Sequence, residues 1–131
     1  MELTKKQFRY HGMSIEELKK LDVREFAKMV PSRNRRNILR NFQKIEDFIN
    51  RSKTKLEKNK AIRTHQRDLI IVPQMVGWKI FIYSGNKFVP CEVVGEMLGH
   101  KFGEFAPTRA RIKHSKAGVG ATKGSKHKSK K

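Results

Sequence analysis

Active sites are mostly built from histidine, cysteine and carboxylate, and in this chain those residues are arranged for no such use. The five histidines, His11, His65, His100, His114 and His127, are dispersed, and Cys91 is the one cysteine. No His-x-x-His spacing occurs, so no zinc site is expected. The twelve acidic residues are scattered, mostly at helix starts or opposite basic residues, and no carboxylate pair is set for general acid and base work. There is no GxxxxGK[ST] phosphate loop. Gly118-Val119-Gly120 lacks the preceding strand and following helix that a cofactor cradle requires. No cofactor, metal or enzymatic activity is therefore expected.

The side chains present in excess are cationic. Thirty-one lysines and arginines against twelve acids give a formal charge of +19 over 131 residues. Self-repulsion at that density weakens a compact fold, so the charge implies an anionic partner, nucleic acid before an acidic membrane surface. A lone cysteine forms no intramolecular disulfide, and a reducing, cytoplasmic setting is the natural reading. No apolar run approaches membrane-spanning length, and Met1–Lys6 does not read as a signal peptide.

Charge and shape meet in Gly99-His100-Lys101-Phe102-Gly103-Glu104-Phe105-Ala106-Pro107-Thr108-Arg109. Two glycines and a proline break any helix, and two aromatics make the stretch too apolar for a solvated linker. It reads as an irregular loop with one shape, formed by Gly99 and Gly103 and pinned by Phe102 and Phe105. Glu104 is also the last acid of the chain. Base stacking by Phe102 and Phe105 is the alternative, with packing on a sheet favoured.

The elements that must position this loop follow from the rest of the chain. Residues 1–13 form a basic arm in which Phe8 and Tyr10 anchor to the body or stack on bases. Residues 14–50 read as helical. Ser14 and Glu17 form a capping box, Asp22 with Glu25 marks a second start, and Pro31 stops the second helix. Ser32 is a third cap candidate. Ile38, Phe42, Ile45 and Ile49 then form one amphipathic stripe, which Asn41 is placed to interrupt. Arg33, Arg35, Arg36 and Arg40 lie mostly off that stripe, either as a solvated face or as phosphate contacts. Residues 51–61 read as a basic linker.

From Leu69 the period changes. Leu69–Val72 is a buried run closed by Pro73. Trp78–Tyr83 and Phe88–Val94 pair through a Gly85-Asn86 hairpin loop. The implied register sets Lys79 opposite Glu92, Ile80 opposite Cys91 and Ile82 opposite Val89, with Ile80, Ile82, Val89 and Cys91 facing inward. Pro90 then marks residues 87–94 as an edge strand, and Cys91 is a core residue rather than a reactive thiol. Gly95–Leu98 is at most one helical turn. Residues 62–109 thus form a β-hairpin body with its loop, and residues 110–131 a basic RNA-binding tail. The fold class is α+β: N-terminal helices beside a small antiparallel sheet.

Three ordered blocks resemble the S-nineteen family of small-subunit ribosomal proteins: Ile62–Gly77, Tyr83–Pro90 and Glu96–Arg109. The second block has Ser-Gly-Asn-Lys where the family usually has Asn-Gly-Lys. The long helical region, Lys113-His114 and Gly118–Thr122 resemble the archaeal and eukaryotic branch, whose eukaryotic members are called S-fifteen. Lys101-Phe102 departs from that branch's common Tyr-Leu, and Lys123–Lys131 is more lysine-rich than its usual ending. The resemblance implies a structural protein of the small-subunit head that binds small-subunit rRNA. It implies an S-thirteen family neighbour, a bridge to the large subunit, and a C-terminal tail near tRNA. A membrane association or a homo-oligomer is not expected.

The residues expected to touch rRNA are Arg63, Arg67, His100, Lys101, Thr108, Arg109, Arg111, Lys113, His114 and Lys116, by phosphate neutralisation and shape recognition. The alternatives are a DNA-binding or chromatin-type protein reading a groove with the 32–49 helix, and a nonspecific RNA chaperone. Basic residues spread over helix, linker, strand entry and tail are unlike a groove reader, which concentrates them on one helix.

Overall fold

A computed structural model describes residues 7–111 and Gly118. The chain opens with a short hairpin, β1 (Arg9–Tyr10) against β2 (Met13–Ser14). His11 and Gly12 between them both take positive φ, 49° and 82°, as a two-residue primed turn requires. The hairpin ties the arm down. Tyr10 packs 5.9 Å from the Phe26 ring, and Phe8 fills the space where a Gly95 side chain would stand, 2.5 Å from that Cβ position.

Four helices follow: α1 (Ile15–Lys20), α2 (Val23–Ala27), α3 (Ser32–Arg40) and α4 (Phe42–Glu57). Their starts follow the expected chemistry, with one shift. The Ser14 hydroxyl accepts from the Glu17 amide (3.3 Å), and Glu17 accepts from the Ser14 amide (2.8 Å). The Ser14 amide holds the Glu17 carboxyl below its usual pKa. Asp22 caps α2, with its amide on Glu25. Ser32 is already helical and does not cap α3; Pro31 holds that position, and its carbonyl accepts from the Arg35 amide. Asn41 breaks α3 from α4 as expected.

The basic segment read as a linker over residues 51–61 is helical through Glu57. Its single buried side chain, Ser52, continues the stripe of Ile45, Phe48 and Ile49, and its smallness allows close packing. The helix ends on Asn59 at φ 52°. The Asn59 amide donates to Leu56 and the Lys60 amide to Lys55, the paired bonds of a Schellman stop.

The sheet has three strands in the order β3 (Ile62–Thr64), β4 (Lys79–Tyr83), β5 (Phe88–Glu92). The β4–β5 register is the expected one, from Lys79 opposite Glu92 to Ile82 opposite Val89. β5 is an edge of the sheet, where Pro90 is tolerated. The sheet is mixed rather than wholly antiparallel, because β3 runs parallel to β4. Ile62 and Thr64 are buried beside Ile80 and Ile82, a pairing too short to announce itself. Cys91 is buried against Met97, and burial pushes its thiol pKa up, against any use as a thiolate.

The buried run Leu69–Val72 joins no strand of this sheet. It lies antiparallel to the loop after Leu98, bridged at Ile70 and Lys101. All four of its side chains are inaccessible, and they unite the helices and sheet in one core. Among the described residues no helix is long and apolar enough to cross a membrane.

Candidate nucleic-acid interface

Residues 99–106 are built into the core by their backbone. The Gly99 amide donates to Ile71 (3.1 Å), Ile71 to His100 (2.8 Å), Phe102 to Leu69 (3.1 Å) and Gly103 to Arg67 (2.9 Å). Gly99 sits at φ 79° with Val30 3.3 Å from its missing Cβ, a conformation and a clearance that suit glycine alone. Its carbonyl accepts from the Asn34 side chain of α3 (2.8 Å). Gly103 approaches the Arg67 carbonyl so closely that a Cβ would lie 3.1 Å from it. Phe102 is fully buried, 5.5 Å from the Phe48 ring, and Phe105 packs partly buried against the core.

Arg67 occupies a special place in this frame. Its guanidinium donates to the carbonyls of Tyr83 (2.6 Å), Gly103 (3.0 Å) and Ala106 (2.5 Å). One planar fork thus joins the hairpin end to both ends of the last turn, Phe102–Phe105. Its charge sits partly buried inside the fold's own hydrogen bonding. His100 lies opposite Glu104 at 2.7 Å, which fixes the imidazole on the loop surface. Among the described residues this is the single contact within 4 Å between a basic and an acidic side chain.

Among the described residues the lysines and arginines therefore have no carboxylate partner at that range. Arg33, Arg36 and Arg40 share one stripe of α3, and all three are exposed. The fold brings Lys101 to them. Together with Asn37 and Asn41 they line a depression of about 200 Å³ without a single carboxylate. The Asn41 side-chain Nδ2 donates to the Asn37 carbonyl and to its Oδ1, each at 3.2 Å, so the floor of the depression is fixed. Arg35, one position off that stripe, instead donates to the carbonyls of Ala27 (3.1 Å) and Lys28 (2.9 Å) at the end of α2. Three guanidinium forks and an ammonium around a fixed polar floor suit phosphate oxygens.

A second basic groove, of about 250 Å³, runs between α4 and β3. It is lined by Arg51, Lys55, Arg63 and His65, again with no carboxylate. Arg63 is exposed and lies over the Phe88 ring, 5.5 Å from its centre. Thr108, Arg109 and Arg111 are exposed past the loop. Lys113, His114 and Lys116 lie outside the described residues, as does most of the 110–131 tail. The spacing of the α3 arginines was visible in sequence. The approach of Lys101, and the helix that puts Arg51 and Lys55 beside Arg63, were not. Among the described residues no cluster of His, Cys, Asp and Glu is placed to hold a metal.

The family model for ribosomal protein S19 matches residues 26–114, from the middle of α2 through the loop and beyond. The chain belongs to the ribosomal protein S19 family. It is a ribosomal protein of the small subunit, a component of a ribonucleoprotein engaged in translation, in a family that is structural rather than enzymatic and typically binds rRNA. The matched span contains both grooves' principal cations, the Arg67 fork and the loop. Family membership places the protein in the ribosome with rRNA and other small-subunit proteins.

Proposed function

We propose that this S19-family protein is a structural constituent of the small-subunit head in the cytoplasmic ribosome. It binds small-subunit rRNA as a single copy. It contacts an S-thirteen family neighbour, lies near the bridge to the large subunit, and sends its 110–131 tail toward the tRNA sites of decoding. The observation that carries the RNA reading is the α3–loop groove, where Arg33, Arg36, Arg40 and Lys101 converge without a carboxylate. Arg63, Thr108, Arg109 and Arg111 add exposed RNA contacts to Lys101 of the groove, and Lys113, His114 and Lys116, outside the described residues, are further contacts. Arg67 contributes by holding the loop's shape, and His100 by capping its surface with Glu104. Binding is electrostatic and geometric: each cation that meets a phosphate releases a counterion, and a fixed surface selects an RNA shape.

The test has two stages. The full chain should sediment with small subunits through a high-salt gradient; migration with free nucleic acid instead would overturn the ribosomal reading. The slope of log affinity against log salt for a head-domain rRNA fragment should then flatten by about 1 per arginine in Arg33→Gln, Arg36→Gln and Arg40→Gln combined. An unchanged slope would remove this groove from the interface.

A further inference from the structure

Every aromatic side chain among the described residues lies in the core or packs against it except Phe81, Tyr83 and Phe88. These three occupy one surface, the outward face of the sheet. Ile80 and Ile82 alternate with them and fill the core side. An antiparallel pair with one solvated face normally turns polar residues outward. Here Tyr83 and Phe88 stand directly opposite each other at the hairpin end, and His65 joins them just beyond β3. The rings form a closed triangle: His65 to Tyr83 4.5 Å, His65 to Phe88 5.2 Å and Tyr83 to Phe88 5.2 Å. His65 is exposed, and the other two are half-buried.

The surroundings indicate what the patch is for. Arg63 lies on the Phe88 ring itself, and Lys55, a residue type depleted in surfaces made for another protein, lines the adjoining groove. Arg63 and His65 also line the groove with Arg51 and Lys55, so the aromatic triangle and a carboxylate-free cationic groove share two residues. The far end of the same face differs, because Glu92 stands opposite Lys79 there. Aromatic faces beside unpaired cations match one ligand chemistry, a flat heterocycle carried on a phosphate chain.

We propose that the hairpin end of the outer sheet face is a stacking platform for unpaired nucleotides of RNA. Bases lie on His65, Tyr83 and Phe88, and the adjoining phosphates enter the groove of Arg51, Lys55 and Arg63. The platform is separate in residues and in mode from the α3–loop groove. That groove presents only cations and amides and suits a backbone of any base content. The inference rests on the rRNA reading above and adds single-stranded segments as the class bound at this face.

The test uses the full chain, a short uridine oligonucleotide and a blunt RNA duplex of equal length. His65→Ala and Phe88→Leu should each weaken oligonucleotide binding roughly 5- to 100-fold, the span expected for one lost base stack. Duplex affinity should hold. His65→Phe, which keeps a stacking face, should restore oligonucleotide binding, and circular dichroism should report an unchanged fold for both His65 variants. Equal losses for both probes, no loss for either, or failure of His65→Phe to restore binding would overturn the platform and leave the rRNA reading standing. A wild-type chain that binds neither probe would overturn both.

Discussion

Replacing Arg67 by methionine distinguishes an arginine that holds the protein together from one that holds RNA. The guanidinium makes three hydrogen bonds to backbone carbonyls, those of Tyr83, Gly103 and Ala106. A hydrogen bond involving a charged group contributes about 1.5–3 kcal/mol. The residue is half-exposed, so water can serve part of what is lost, and methionine retains the apolar stem. Discounting by about half leaves roughly 2–4 kcal/mol for the set. For a domain of this size, at about 4 °C per kcal/mol, that is a fall in Tm of roughly 8–16 °C. Arg67→Lys should recover little, since an ammonium cannot reproduce the planar fork across three acceptors. Arg109→Met is the control; it is exposed and should stay within about 0.5 kcal/mol of wild type. Thermal and urea unfolding of the RNA-free chain would give the values, and amide exchange at Phe102 and Gly103 would locate the loosening. A wild-type Tm in Arg67→Met, with RNA affinity reduced, would refute the structural role and return Arg67 to the phosphate-binding set.

Two more perturbations test the frame around the loop. Gly99→Ala forces a side chain into φ 79° and against Val30; it should cost about 1–2 kcal/mol, read as a lower urea midpoint with an unchanged m-value. Glu17 has its pKa lowered in the fold by the Ser14 amide, so its contribution is complete above the ordinary glutamate pKa and is lost as pH falls through the depressed value. An NMR titration should place its midpoint below the ordinary glutamate value, and Glu17→Gln should remove that part of the acid dependence of α1.

Local chemistry was legible in the sequence, and distant geometry was not. Ser14, Asp22, Pro31 and Asn41 mark helix starts and stops through bonds they make with near neighbours. The hairpin register follows from a two-residue loop and alternation alone. Residues 51–57 carry no apolar period to announce a helix, which is held instead by one buried serine and the left-handed stop at Asn59. The His11-Gly12 turn lacks the Asn-Gly or Asp-Gly pair that announces a two-residue hairpin, and its strands are only two residues each. The parallel pairing of β3 rests on residues well separated from β4. The cationic composition pointed to RNA, but which cations act together depended on where Lys101 lands. Sequence also gave no means of separating Arg67, spent on carbonyls, from the free arginines around it.

The loop's attachments have a consequence for the order in which the protein is made. The α3 arginines leave the ribosome early in synthesis, whereas Lys101, and the segment that buttresses it against Asn34, Ile71 and Arg67, come some sixty residues later. A partly synthesised chain therefore presents loose positive charge and no groove. The fixed surface arises only when the first-made helices, the central buried run and the last-made loop have closed on one another. On the proposed RNA-binding role, nascent fragments would be limited to weak, salt-sensitive contact, with shape-selective binding reserved for a finished domain.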